Sequence, residues 1–188
     1  LVTDRSSGIS SLSDLKNKRI MTSGDLGSDV SLLSMIFSHG IKLEDLLIQT
    51  PSFNTQDLLD KKTDLIASYI SNEPFTLKEL GGNPIVFNPK DYGFDFYSDI
   101  LTTSKKYLQN EENEVKKFRE ASLKGWEYAF SNINESVEII YNKYNPQHKS
   151  KQALIFEANE MKKLVYHNTN ELGKIEAEKL EKIYNVYK

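Results

Sequence analysis

Residues 63–103, TDLIASYISNEPFTLKELGGNPIVFNPKDYGFDFYSDILTT, decide how this chain folds. Two short apolar runs, 65–70 and 85–87, are each bounded by turn residues and are too short for a helix, so both read as buried strands. The first gives way to Ser71, Asn72, Glu73 and Pro74, with Pro74 placed where a first helical turn tolerates a missing amide hydrogen. Tyr69, Asn72 and Glu73 are therefore expected at the carboxyl end of a strand beside a helix start, where open α/β sheets bind ligands.

The same alternation extends toward the amino terminus. Residues 19–22 read as a strand, followed by the small, hydrogen-bonding loop 23–29 (SGDLGSD). Val30, Leu33, Ile36 and Phe37 recur at helical spacing and Gly40 sits where a left-handed stop belongs, giving a helix from Asp29 to His39 capped by Ser28. Residues 46–50 form a second strand ended by Pro51, and Asn54 or Thr55 can cap a short helix carrying Leu58 and Leu59. A helix over 75–80 stops at Gly81 and Gly82. From 19 to 88 the order is strand, helix, strand, helix, strand, helix, strand, which implies a mostly parallel sheet with right-handed crossovers. Ahead of it Ser13 can cap one helical turn at 14–18, and Leu1 to Arg5 is a short apolar start with no partner nearby.

Beyond Asp91 the texture changes. Residues 91–97 (DYGFDFY) form an aromatic connector, and 99–103 are expected to add one more strand. Everything after Ser104 reads as helical: Val115, Phe118, Ser122, Trp126 and Ala129 share one face, Val137, Ile140, Tyr141 and Tyr144 a second, Leu154, Ala158, Met161, Leu164 and Val165 a third, and Ile175, Leu180, Ile183, Val186 and Tyr187 a fourth. The fold class is α/β with a mostly parallel sheet, followed by an all-helical C-terminal part.

Composition narrows the function. The 188 residues are 38% hydrophobic and 11% aromatic, enough for a sizeable core. A net charge of −3, with lysines interleaved among acids, argues against nucleic acid as a partner. No run reaches the roughly 18 apolar residues of a membrane span, so direct membrane insertion of this segment is not expected. The absence of cysteine excludes disulfides, thiol nucleophiles and thiolate metal sites. His39, His148 and His167 are too dispersed to suggest a metal site, and no cofactor is expected.

Each candidate residue has a plainer reading beside the functional one. The loop with Ser23 and Ser28 can offer amides and hydroxyls to a polar or anionic group, or be an ordinary capped helix start. It is not a phosphate loop, since no glycine-lysine pair follows. Glu73 can be a charge at a helix start, or can accept two hydrogen bonds from an amino-substituted ring or ammonium group; the neighbouring Asn72 and Tyr69 favour the second. Tyr92, Asp95, Phe96 and Tyr97 can wall a flat ligand or lock two lobes together. The carboxylates Asp64, Glu73, Asp91, Asp95 and Asp99 show no activating neighbour for acid and base work, and Trp126 reads as core.

Residues 13–20 (SDLKNKRI) resemble the opening of the second lobe of bacterial periplasmic solute-binding proteins of the nitrate, taurine and thiamine-precursor type. Residues 69–74 (YISNEP), 91–97 (DYGFDFY) and 118–129 (FREASLKGWEYA) are similar to signatures of the branch related to thiamine pyrimidine synthase, and 157–161 (EANEM) to the segment that follows. The resemblance implies a type II periplasmic-binding-protein-like lobe, half of a hinged clamshell that binds small solutes outside the cytoplasm. It implies 1–12 as hinge and remnant of a first lobe, 13–98 as the α/β ligand-binding lobe and 99–188 as hinge return and helical part. By analogy Asn72, Glu73 and the loop around Ser23 and Ser28 contact ligand, while Tyr92, Asp95 and Tyr97 lie near hinge and cleft.

The expected role is non-catalytic: closing on a small polar or pyrimidine- or amine-like ligand, then either delivering it to an ABC transporter permease or signalling to a membrane-anchored histidine kinase or cyclic-di-nucleotide synthase. The alternative is an enzyme of thiamine-pyrimidine-precursor biosynthesis, with Glu73 or Asp95 as acid or base. That alternative is disfavoured because the family's enzymes use a cysteine-rich motif and a first lobe.

Overall fold

The computed structural model describes residues 1–22, 30–167 and 171–188, which fall into two units, Leu1–Phe96 with Glu176–Lys188, and Tyr97–Ile175. The first unit is built on a sheet whose described strands are β1 (Val2–Asp4), β2 (Arg19–Met21), β3 (Leu47–Gln49), β4 (Leu65–Ile66) and β5 (Pro84–Val86), in the order β3-β2-β4-β1-β5. β2 pairs in parallel with β3 and β4, whereas β1 is antiparallel to both β4 and β5. Four strands thus point one way and β1 the other, as the α/β expectation of a mostly parallel sheet requires.

The amino-terminal stretch corrects the sequence reading. Leu1 to Arg5 looked partnerless because its partners are distant in sequence: Val2 lies opposite both Ile66 and Val86. β1 occupies the sheet interior, its three residues all buried, and the Thr3 hydroxyl donates to the Asp64 carbonyl (2.7 Å). The Leu1 amino group donates to the Phe87 carbonyl and the Phe87 N–H to the Leu1 carbonyl, each at 2.9 Å, so the segments on either side of the sheet's edge are stitched together.

Side-chain alternation along the strands divides the core into two layers. Ile20 and Leu65 face one way, against α1 (Val30–Phe37) through Leu32, Met35 and Ile36; Met21 and Ile66 face the other, against α2 (Gln56–Leu59) through Leu58 and α3 (Glu73–Glu79) through Leu77. Helices on both faces of one sheet form a doubly wound arrangement, to which the strand-helix order had contributed the mostly parallel sheet. Arg19 clamps the amino end of the sheet: Nε and Nη2 bond Asp64 Oδ2 and Oδ1 at 3.1 and 2.8 Å, and the Arg19 N–H donates to Oδ2 (2.9 Å). This fork-to-fork pair between β2 and β4 holds the Asp64 carboxyl below the usual carboxylate range, against the opposing effect of partial burial. Asp64 is thus a structural carboxylate.

One expected strand is shortened and another does not form. The run 65–70 is strand only at Leu65–Ile66, because the chain turns at 69–72 to start α3, and residues 99–103 are irregular. α8 (Ala177–Tyr187) belongs with the sheet: Tyr187 stacks on Phe96 (6.1 Å between centroids) and Lys179 pairs with Asp95 (3.0 Å).

The second unit consists of α4 (Lys105–Asn110), α5 (Glu112–Ser131), α6 (Ile133–Lys143) and α7 (Lys151–Val165) among its described residues. Buried Phe130 stacks on Trp126 at 5.4 Å and meets the Tyr166 edge at 6.0 Å, while Lys162 Nζ donates to the Phe130 carbonyl (2.9 Å). Val137, Ala153 and Leu154 complete its small core.

Candidate functional site

In an open α/β sheet the crevice opens where successive connections leave for opposite faces. Here that point lies between the carboxyl ends of β2 and β4: the chain leaving β2 goes to α1 on one face, and the chain leaving β4 goes to α3 on the other. The registers Met21 opposite Gln49 and Met21 opposite Ile66 line up the three strand ends, so residues 67–72 after β4 and 50–54 after β3 flank the end of β2.

The segment after β4 gathers three of the expected residues into one turn. The Asn72 N–H donates to the Tyr69 carbonyl (3.0 Å), and the Glu73 carboxylate folds back over the turn: Oε2 accepts from the Tyr69 N–H (2.9 Å) and Oε1 from Asn72 Nδ2 (3.1 Å). Asn72 also accepts at its carbonyl from the N–H groups of Phe75 and Thr76, which starts α3. A carboxylate offers about four lone-pair positions, and the described residues occupy one on each Glu73 oxygen. The Tyr69 side chain is 66% exposed beside it. The arrangement can receive a paired donor such as an amino-substituted ring, with an aromatic face at hand.

The other expected residues are placed differently. Ser23 and Ser28, with their loop, lie outside the described residues. Tyr92, closing a single turn at Pro89–Tyr92, packs on the core and meets His39 edge-on at 5.2 Å. Asp95 pairs with Lys179 of α8 (3.0 Å), and Tyr97 opens the helical unit, half-buried. Among the described residues no group of three or more His, Cys, Asp or Glu could hold a metal ion, and no helix is long and apolar enough to cross a membrane.

Phe53, which the sequence reading passed over, is 96% exposed with φ +57° on the loop after β3. Its signal was an aromatic residue set between Pro51 and a helix cap, in a stretch that otherwise reads as turn alone. The helical unit has a groove of about 340 Å³, walled mainly by apolar groups from Leu101, Tyr107, Val115 and Phe118, in which the Tyr107 hydroxyl donates to Glu114 (2.8 Å).

Two comparisons with known proteins bear on this geometry. Over 77 residues the chain is 32% identical to a formylaminopyrimidine-binding protein of Halalkalibacterium halodurans; the match takes in 40% of this chain and 23% of that protein, so the chain spans about a quarter of the relative's length. The family model described as NMT1/THI5 like matches residues 1–136. That stretch takes in the whole sheet, its switch-point crevice and the Tyr69-Asn72-Glu73 turn, and continues into the helices: the chain belongs to the NMT1/THI5-like family.

Proposed function

We propose that this chain supplies one lobe and the helical return of an extracytoplasmic solute-binding protein, without catalytic activity of its own. The observation that carries the proposal is the turn in which Glu73 sits beside Asn72 and the exposed Tyr69 ring, at the switch point of a doubly wound sheet. Such a site favours a small flat solute bearing an amine or amide, with the carboxylate taking two N–H groups and tyrosine covering a face. The name of the H. halodurans relative supports a formylaminopyrimidine or a close analogue as that solute. Closure over the solute is read by a membrane partner, either an ABC permease that takes the ligand or a signalling kinase or cyclase that senses the closed form.

The carboxylates of the α/β unit support binding over chemistry. Asp64 is locked to Arg19 and Asp95 is paired with Lys179. Among the described residues the hydrogen-bond donors to Glu73 are the Tyr69 N–H and Asn72 Nδ2, which hold the carboxylate in place over the turn.

Calorimetry of the intact protein with formylaminopyrimidine, other aminopyrimidines and simple amines tests the proposal, with product analysis on the same samples. Saturable binding with unchanged ligand is expected. Conversion of the ligand, or no binding across the panel, would contradict it.

A further inference from the structure

We infer that Phe53 is the second aromatic wall of the ligand site, facing Tyr69 across the end of β2, so that the solute is held as a flat heteroaromatic ring between the two. The inference rests on the solute-binding reading above and adds a residue to it. Three observations meet at Phe53.

The first is its conformation. A bulky residue at φ +57° leaves the favoured regions of backbone space, and a phenyl ring left 96% exposed gains nothing from burial. Neither feature helps the fold, so the residue is held this way against its own preferences. The second is what holds it. The Ser52 hydroxyl donates to Asp57 Oδ2 (2.6 Å) and accepts from the Asn54 N–H (3.2 Å); Asn54 Oδ1 accepts from the Gln56 N–H (3.1 Å); and Lys62 Nζ bonds Asp57 Oδ1 (2.8 Å). Asp57 is itself buried, with its carboxyl held below the ordinary range by Lys62 and then by the Ser52 hydroxyl. The bonds on both sides of Phe53 fix the turn before any ligand arrives, which lowers the ordering entropy that binding would otherwise cost.

The third is position. β3 and β4 flank β2, and strands spaced about 4.8 Å apart place their ends about 10 Å apart. Ser52 Oγ also reaches Met21 Sδ (3.6 Å), tying this loop to the end of β2. A flat ring stacked between two aromatic walls needs about 7 Å between them, two contacts of about 3.5 Å. Rings leaning inward from bases about 10 Å apart meet that requirement. Glu73 then takes the edge of a ring whose faces are covered by Phe53 and Tyr69. The ligand class narrows accordingly to planar heteroaromatics carrying an amine; saturated amines of the same size leave both walls unused.

The test uses the intact protein and formylaminopyrimidine as probe, by calorimetry. Phe53→Ala is expected to weaken Kd about tenfold, the low end of an aromatic-base stack, while Phe53→Tyr binds within about twofold of wild type and all three share one thermal midpoint. Phe53→Trp adds a reporter beyond Trp126, the chain's one native tryptophan, and its emission is expected to change on titration. Unchanged affinity in Phe53→Ala together with a weakened Glu73→Gln would overturn the assignment of Phe53 and leave the solute-binding reading intact. Wild type that binds neither this probe nor the wider pyrimidine panel overturns both.

Discussion

The Glu73 carboxylate holds the Tyr69–Asn72 turn and, in the proposed function, also meets the ligand amine; substitution separates the two. Gln keeps an oxygen for the Tyr69 N–H (2.9 Å in the native chain) but removes the charge that a ligand amine would meet. A charge-assisted hydrogen bond contributes about 1.5–3 kcal/mol, so Glu73→Gln is expected to weaken the ligand Kd by about tenfold or more while the denaturant midpoint stays within error. Gly82 makes the opposite kind of prediction. A Cβ there would fall 2.7 Å from Leu77 Cδ1, and Leu77 is 0% exposed. Gly82→Ala therefore overpacks the α3 layer and is expected to cost about 1–3 kcal/mol in urea unfolding with m unchanged, leaving ligand affinity per folded molecule intact. At this scale the sequence marked Tyr69, Asn72 and Glu73 because Pro74 signals a helix start directly after a strand. It could not mark Phe53, since a φ of +57° and a Ser52–Asp57 bond leave no trace in composition. Nor could it tell that Tyr92 spends its ring on His39.

Elements hold together here through a few long-range polar clamps. The Arg19–Asp64 fork joins β2 to β4, and breaking a partly exposed bidentate pair of this kind costs about 1–3 kcal/mol. Asp64→Asn is expected to lower stability by that amount at neutral pH. Because the native carboxyl is held below its unfolded value of about 3.9, its contribution is complete above that pH and is lost as pH falls through the lower folded value. Wild type should therefore lose stability more steeply than Asp64→Asn below about pH 4; parallel acid titrations followed by circular dichroism would contradict this. Periodicity revealed α1, α5, α6 and α7 because amphipathic spacing is local. The three residues of β1 carry no period, and their pairing with residues more than sixty positions away is a non-local fact. The expected strand at 99–103 failed for a related reason: its residues are exposed and have no strand partner in the described structure.

For the whole molecule, the order of strands and helices was enough to announce a mostly parallel α/β sheet, whereas the return of α8 to that sheet was not legible in it. The return depends on Tyr187 meeting Phe96 and Lys179 meeting Asp95 across more than eighty residues. Removing 176–188 is expected to destabilise the α/β unit by about 1–3 kcal/mol, the sum of an aromatic pair and a partly buried ion pair with some apolar burial. Faster hydrogen exchange in β2 and β4 would report it, and unchanged exchange would argue that α8 is ornamental. The family assignment and the crevice geometry converge on solute capture, in which binding must be saturable, stoichiometric and free of turnover. The most direct measurement is a calorimetric titration of the intact protein with formylaminopyrimidine, wild type against Glu73→Gln. One-to-one binding that the substitution weakens about tenfold, with the ligand recovered unaltered, is the predicted result. Equal affinity in the two proteins, or a converted ligand, would contradict the account.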